Sequence, residues 1–279
     1  MKISGWKYYN HAAIPNIPPN KSADTSAIES GEIWALDGSP LLARWTTDFD
    51  KLDYGEWWFV IKDTPFDISA LRSKRRYVIN KGLKNFDVRL INPTEYKEEL
   101  FKVQTEAFSA YPKKYRPKVE REQFFATIDS WRSHLVFGAF FKENGALAGY
   151  SLLTTPVDGY VDFTAQKTVP DYEKYDVNSA LCAGILAYFE DFLSSGGMIV
   201  DGERSINHET RFQDFLEKYF GFRKAYCELH LAYNSKMRLA IRLLYPIRGL
   251  LAKFDGIGKI HAVNSVLKME SIARCYNKK

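Results

Sequence analysis

The residues Tyr160–Val200, YVDFTAQKTVPDYEKYDVNSALCAGILAYFEDFLSSGGMIV, decide the fold. Apolar side chains recur at helical spacing from Val177 to Ser194, and Gly196-Gly197 ends this helix where a left-handed cap costs little. The segments Tyr160–Thr168 and Met198–Val200 on either side are typical of strands. Since a helix of about 18 residues separates them, the two strands can run parallel as a right-handed crossover. Open sheets leave a crevice at the carboxyl ends of such strands, and we expect reactants to meet there.

The flanking residues extend this crossover into one mixed sheet. Upstream, the sequence predicts a strand at Asp87–Ile91, two helices, and antiparallel strands at Leu135–Phe141 and Ala146–Thr155. Downstream, it predicts a helix over Asn207–Tyr219 and a strand over Phe222–Tyr233 in which apolar and polar residues alternate. The resulting order of elements predicts a fold of helices and strands (α/β, with an α+β mixed sheet), in which one sheet contains both parallel and antiparallel strands.

The charge of the chain is distributed unevenly. Residues 236–279 carry ten Lys or Arg against two acids, which leaves 29 against 32 for residues 1–235. A nucleic-acid-binding surface needs an excess of cations, so the sequence argues against DNA as a partner of the body. Three cysteines (Cys182, Cys227 and Cys275) form neither a disulfide framework nor a CxxC site, and we expect no metal.

No apolar stretch of the chain suits a membrane span. A spanning helix needs about 18 or more uncharged apolar residues, and a secretory signal needs an apolar core near the N-terminus. The chain shows neither pattern, so the predicted location is the cytoplasm.

The predicted order of elements resembles the GNAT acyltransferase fold. Leu216–Phe222 (LEKYFGF) is similar to the helix, Gly-Phe and strand near the end of that family. Asp67–Gly82 (DISALRSKRRYVINKG) resembles the basic helix before the second GNAT-like unit of FemAB-type aminoacyl and peptidyl transferases. The GNAT resemblance covers about residues 86–235, which defines an acyltransferase core.

The two ends of the chain flank this core. Residues 1–85 predict a β-rich extension or a reduced GNAT-like half, with strands near Glu32–Leu36, Leu41–Thr46 and Glu56–Lys62. This region holds five of the six tryptophans, which favours a packed extension, with a stacking wall for a ligand as the alternative. Residues 236–279 predict a basic amphipathic helical tail.

The densest polar cluster follows the second strand of the crossover, at Asp201-Gly-Glu-Arg-Ser205, with Asn207 and His208 after it. Transfer of an acyl group to an amine needs a base, donors for the oxyanion and an acid. Glu203 or His208 is the candidate base and Tyr219 or Tyr226 the candidate acid. Backbone N–H groups of Tyr160–Thr168 would hold the carbonyl, as the GNAT resemblance implies. In a purely structural alternative, Asp201 and Arg204 pair with each other.

Eight residues around the crevice are candidates for binding substrate or donor. They are Gln166, Lys167, Thr168, Val169, Lys174, Asn178, Asp201 and Arg204.

The GNAT resemblance implies acetyl-CoA or another acyl-CoA as the donor and an amine of a small molecule, a sugar or a cell-envelope precursor as the acceptor. Two features depart from that family. Pro170–Ser179, where the family places a Gly-rich pyrophosphate turn, has no glycine and carries three carboxylates. Glu217 stands where the family has its acid tyrosine.

Two alternatives therefore stay open. The FemAB resemblance implies an amino acid taken from aminoacyl-tRNA, and a tRNA partner, instead of CoA. A non-catalytic binding module on a GNAT fold is the other alternative.

The tail also has two interpretations. Lys236–Leu251 (KMRLAIRLLYPIRGLL) places Arg238 and Arg242 one helical turn apart among apolar residues. Such a segment can lie on the anionic inner face of a membrane, as a peripheral contact. Alternatively, it packs over the sheet with its arginines paired to the acidic body.

Overall fold

The structure, a computed structural model, describes residues 1–111, 116–206 and 211–276. Its strands are β1 (Trp6–Tyr9), β2 (Ala12–Pro15), β3 (Leu42–Leu52), β4 (Trp58–Lys62), β5 (Phe86–Ile91), β6 (His134–Phe141), β7 (Leu147–Thr154), β8 (Tyr160–Thr168), β9 (Met198–Glu203) and β10 (Arg223–Tyr233). Its helices are α1 (Ser26–Glu29), α2 (Ser73–Asn85), α3 (Lys97–Ser109), α4 (Arg121–Ser130), α5 (Val177–Tyr188), α6 (Glu190–Ser194), α7 (Phe212–Phe220), α8 (Ser235–Leu244), α9 (Arg248–Leu251) and α10 (Gly258–Tyr276).

The chain divides into two compact units. Unit 1 comprises Met1–Phe59, Glu203–Thr210 and Lys224–Lys279, and unit 2 comprises Val60–Gly202 and Arg211–Arg223.

Unit 2 is built on a mixed sheet, which confirms the predicted fold class. Its strands lie in the order β4-β9-β8-β7-β6-β5. The strands from β5 to β8 pair antiparallel, as the predicted meander requires, whereas β8 and β9 pair parallel. The connection from β8 to β9 is the predicted crossover helix, which the structure divides at Phe189 into α5 and α6.

Helices cover this sheet through buried apolar residues. α3 and α4 contribute Leu100, Val103 and Ile128 to a cluster that also holds Trp131 and Tyr150. α5 presents several fully buried side chains. It also approaches β5 so closely that a Cβ at Gly184 would lie 2.5 Å from a methyl carbon of Val88. The crossover helix is therefore fixed against the sheet on which its two strands lie.

Unit 1 holds a second set of strands and the C-terminal helices. Its strands lie in the order β1-β2-β3-β10, with β2 and β3 parallel and the other pairs antiparallel. One core cluster contains Trp6 and Ile33. Another joins Leu42 and Tyr233 to Ile241 of α8 and to α10. The tail therefore packs against the N-terminal strands through one face of α8.

One predicted strand of this unit is wrong. Glu32–Ala35 forms a 3-10 turn, not a strand, and Leu36 follows it. Gly31 before it has φ +83°, and the backbone N–H of Trp34 bonds to the carbonyl of Gly31. The left-handed glycine starts a tight turn that buries Ile33, so apolar content alone misleads here.

The described helices contain none that is long and apolar enough to cross a membrane.

Candidate active site

The parallel strands β8 and β9 separate after a short stretch of pairing. Only three pairs join them in the described residues, and the last is Asp162 opposite Val200. Beyond that pair, β8 stays with β7 as far as Thr168, while β9 continues to Glu203. The prediction of neighbouring parallel strands is confirmed. The region between the two strands beyond this last pair is called the crevice below, because the carboxyl ends of such strands are where open sheets place their sites.

A β-bulge lies where the strands separate. Opposite β7, Ala165 pairs with Leu152 and Phe163 pairs with Leu153, so Thr164 is one extra residue in β8. A bulge leaves its extra residue outside the ladder and bends the strand. Thr164 is exposed and comes two residues after the last pair with β9. The bulge therefore bends β8 close to the point where its pairing with β9 ends.

Asp201 is the first residue of β9 beyond the last pair, and its carboxyl is strongly perturbed. Desolvation by burial raises the pKa of Asp201 to about 8, with a hydrogen bond from Gln213 opposing the shift and the charge of Asp162 adding to it. Both carboxyl groups thus lie where β8 and β9 separate. A carboxyl with a pKa near neutrality is suited to general base catalysis, because it both accepts and returns a proton at neutral pH.

A buried hydrogen-bond network connects the carboxyl half of β8 with β7 and α5. Ser151 Oγ donates to Gln166 Oε1 at 2.9 Å, and Gln166 Nε2 donates to Asn178 Oδ1 at 2.8 Å. Thr168 Oγ1 donates to the same Asn178 oxygen at 3.4 Å. The Cys182 thiol lies 3.6 Å from Gln166 Oε1. The structure therefore brings together three of the predicted binding residues: Gln166, Thr168 and Asn178.

The other predicted binding residues on this part of the chain have different surroundings. Lys167 Nζ lies 5.0 Å from the centre of the Phe108 ring. Val169 is buried in the apolar cluster, and its N–H donates to the Ala148 carbonyl. Lys174 lies in the 3-10 turn before α5, with its ammonium over the Tyr175 ring.

Glu203 and Arg204 both form ion pairs within unit 1. Glu203 Oε2 lies 3.4 Å from Arg44 Nε, and each side chain is about one-fifth exposed. Arg204 pairs with Glu56 at 2.7 Å, and its guanidinium lies 4.6 Å from the centre of the Trp58 ring. The structural alternative in which Arg204 pairs with Asp201 is therefore wrong.

The remaining catalytic candidates lie in separate places. Tyr226 on β10 packs edge-on against Trp58 within unit 1. Tyr219 on α7 packs against Phe215 in unit 2, with ring centres 5.2 Å apart. His208 lies outside the described residues.

The N-terminus of α5 is covered by α2. Lys81 Nζ lies 2.9 Å from Asp176 Oδ2 and donates to the Lys174 carbonyl at 2.6 Å. A Cβ at Gly82 would lie 2.7 Å from the Asp176 carbonyl oxygen and 3.0 Å from the Ala180 nitrogen. The Lys81-Gly82 pair thus covers the start of α5, the place at which the GNAT resemblance led us to expect a pyrophosphate turn.

Three features of the crevice were not predicted from the sequence: Asp162, the bulge at Thr164, and the hydrogen bond from Gln213 to Asp201. Asp162 carried one usable signal, because it is a charged residue inside an otherwise apolar segment between Tyr160 and Phe163. The bulge depends on cross-strand register, for which the sequence has no local signal.

No group of three or more His, Cys, Asp or Glu suited to holding a metal ion occurs among the residues that the structure describes.

Solved structures of other proteins resemble this chain in fold but share little of its sequence. No family model matches the chain, and no curated protein matches it. L-PGS from Bacillus licheniformis is 14% identical, with a TM-score of 0.50 over 85% of this chain and 84% of that chain. The C-terminal domain of a putative lysylphosphatidylglycerol synthetase from Agrobacterium fabrum is 11% identical, with a TM-score of 0.53 over 85% and 82%. FemX is 9% identical, with a TM-score of 0.50 over 86% and 85%.

The chain has a GNAT-like fold. Its structural relatives include FemAB-like proteins, which confirms both resemblances at the level of fold. At these identities the likeness extends to the fold alone.

Proposed function

We propose that this protein transfers an acyl group directly to an amine in the crevice between β8 and β9, with Asp201 as the general base. The proposal rests mainly on the half-buried Asp201 carboxyl, whose pKa is raised to about 8 by desolvation where the two strands separate. A carboxyl with a strongly raised pKa in a cleft is a candidate for a catalytic base. Asp201 here takes the role that the sequence suggested for Glu203 or His208.

The proposed reaction needs no covalent intermediate on the protein. The amine nitrogen attacks the acyl carbon, and Asp201 takes the proton that the nitrogen loses as the C–N bond forms. The bond from the acyl carbon to the leaving oxygen then breaks, and Asp201 returns the proton to that oxygen. The nearby Cys182 does not suit a covalent step, because burial and the charge of Asp201 raise the pKa of its thiol and keep it protonated.

The bulge in β8 supplies the hydrogen-bond donor that the oxyanion requires. The tetrahedral intermediate carries a negative oxygen, which hydrogen-bond donors fixed in advance stabilise best. We assign this role to the peptide N–H at Thr164, since the bulge leaves this residue outside the ladder with β7, two residues beyond the last pair with β9. The network from Ser151 through Gln166 to Asn178 holds the strand in place.

The covered N-terminus of α5 favours a donor other than CoA. A pyrophosphate bound there would have to displace Lys81 from Asp176. It would also have to separate the backbone of α2 from that of α5, which approach each other closely because residue 82 is a glycine. This supports the alternative that the FemAB resemblance implies, an amino acid carried as an ester on tRNA. An amine of a small molecule, a sugar or a cell-envelope precursor is the proposed acceptor.

The test compares donors directly. The full chain is incubated with a panel of primary amines and either mixed aminoacyl-tRNAs or acetyl-CoA, and amide products are measured by mass spectrometry. We expect amides from the aminoacyl-tRNA arm, reduced about 100-fold or more in Asp201→Asn. The exposed Asp171→Asn is the matched control and should act as wild type.

Each other outcome rejects one part of the proposal. Product from acetyl-CoA alone rejects the donor assignment, and full activity of Asp201→Asn rejects the base. No product in either arm favours the non-catalytic binding module.

A further inference from the structure

The C-terminal helical segment exposes a row of large apolar side chains. Of the seventeen large hydrophobic residues that the described structure exposes, six fall within nineteen consecutive residues, and each is between 46 and 64% exposed. They are Leu239, Leu243, Ile247, Leu250, Phe254 and Ile257. Leu239 and Leu243 lie one turn apart on the same face of α8. The other four follow at intervals of three or four residues through the short helical turns after α8 and up to the start of α10.

This row is not the face that holds the segment to unit 1. The packing face of α8 is formed by Ile241, with Met237 and Leu244 beside it, against Leu42 and Tyr233. α8 is therefore apolar on two sides, and folding buries only one of them. Monomeric proteins rarely expose a contiguous apolar row of this kind unless it binds something.

Cations flank the row. Residues 236–259 carry six Lys or Arg and a single acid, Asp255, which gives a net charge of +5. Asp255 already accepts hydrogen bonds from His261 and Asn264. Within the described residues none of the six cations forms an ion pair, whereas the nearby Arg274 pairs with Glu270 at 2.7 Å. The surface thus combines unneutralised positive charge with exposed aliphatic side chains.

An arginine-lined cavity lies beside the row. Its volume is about 300 Å³, and Arg238, Arg242, Glu270 and Arg274 are among its lining residues. Glu270 is engaged by Arg274 and by the hydroxyl of Tyr233, which donates at 2.7 Å. Arg238 donates to the Tyr233 carbonyl at 3.4 Å, but among the described residues neither Arg238 nor Arg242 pairs with a carboxylate, so both can attract an anion such as a phosphate. They immediately precede Leu239 and Leu243 in α8, so the anion site and the apolar row are adjacent.

We propose that residues 236–259 form a docking surface for an anionic lipid bilayer, with the row in the interface and the arginines on lipid phosphates. Interfacial helices bind in this way, through apolar residues below the headgroups and Lys or Arg among them. Nucleic acid explains the observations less well, because it would neutralise the cations and leave six aliphatic and aromatic side chains in water. This proposal does not depend on the proposed acyl transfer.

Sedimentation with vesicles tests the proposal on the full chain. We expect at least about tenfold tighter binding to phosphatidylcholine vesicles with about 30% phosphatidylglycerol than to phosphatidylcholine alone. Raising the salt from about 0.1 M to about 1 M should weaken this binding. Leu243→Glu and Arg242→Glu should each reduce it about tenfold or more.

The control variants separate this surface from general charge and hydrophobicity. Leu90→Glu alters another exposed leucine, in unit 2, and Lys118→Glu alters an exposed cation there. Both should bind anionic vesicles as wild type does.

Several results would overturn the proposal. These are equal affinity for neutral vesicles, no affinity for either kind, or wild-type binding by Leu243→Glu. A concentration-dependent dimer that Leu243→Glu abolishes would assign the row to a second copy of the chain. Binding of tRNA that Arg242→Glu weakens and Leu243→Glu does not would assign the cations to nucleic acid.

Discussion

Replacing Asp201 with asparagine removes a carboxyl whose ionisation the folded state opposes. Burial raises the pKa of Asp201 to about 8, against 3.8 for an ordinary aspartate. Between these two pH values the folded chain holds a proton on Asp201 that the unfolded chain has released. The free energy of unfolding of the wild type therefore falls as the pH rises from about 4 to about 8.

The size of this effect follows from the difference between the two pKa values. A difference of about 4 pH units at 1.36 kcal/mol each amounts to on the order of 5 kcal/mol at pH 8 and above. Asparagine has the shape of the protonated carboxyl, and its amide oxygen can accept the hydrogen bond from Gln213. Asp201→Asn should therefore match the wild type near pH 4 and exceed its stability by several kcal/mol near pH 8.5.

Urea unfolding of both proteins at a series of pH values measures this difference. Because the other titrating groups are shared, subtracting one profile from the other isolates Asp201. The exposed Asp171→Asn should show no difference from wild type that depends on pH. Parallel profiles for Asp201→Asn and wild type would mean that Asp201 ionises in the folded chain as it does in the unfolded one, and would contradict the raised pKa.

Three further changes test the packing that positions the crevice. Gly82→Ala should destabilise the protein by about 1 to 3 kcal/mol in urea unfolding, because the added Cβ would meet backbone atoms. Gly249→Ala is the control: it has open space around it, so the helix preference of alanine should stabilise the protein slightly. Equal effects at the two glycines would contradict the close approach of α2 to α5. Gln166→Leu should cost about 2 kcal/mol by leaving buried polar partners unsatisfied, and an unchanged urea midpoint would contradict the network. Arg44→Met removes the ion-pair partner of Glu203 and should cost about 1 to 3 kcal/mol in the same assay, more than Arg44→Lys, which keeps the charge.

The framework of the crevice was predictable from local signals. Helical spacing from Val177 to Ser194 and the glycines at 196 and 197 were enough to place a helix between two strands, and a connection of that length allows the strands to run parallel. Polar residues at the carboxyl ends of these strands then indicated where a site would form. Gln166, Thr168 and Asn178 do lie together there.

The chemical properties of the crevice depend on contacts between distant residues. Arg204 pairs with Glu56, which is 148 residues away, and the charge of Glu203 faces Arg44. The pKa of Asp201 depends on burial and on Gln213, neither of which a strand pattern encodes. The sequence showed that 170–179 lacks a Gly-rich turn. Only the structure shows that Lys81 instead pairs with Asp176 at the start of α5. Tertiary structure therefore decides which carboxylate is perturbed and which end of α5 is covered.

The pH dependence of amide formation is the most direct test of Asp201 as the general base. In single-turnover reactions with mixed aminoacyl-tRNAs and an amine panel, the wild-type rate should rise with pH along a titration curve whose midpoint is near 8, where Asp201 ionises. Asp201→Asn should lose this rise together with about 100-fold or more of the rate. A flat wild-type profile, or a variant that keeps the same rise, would show that Asp201 is not the base.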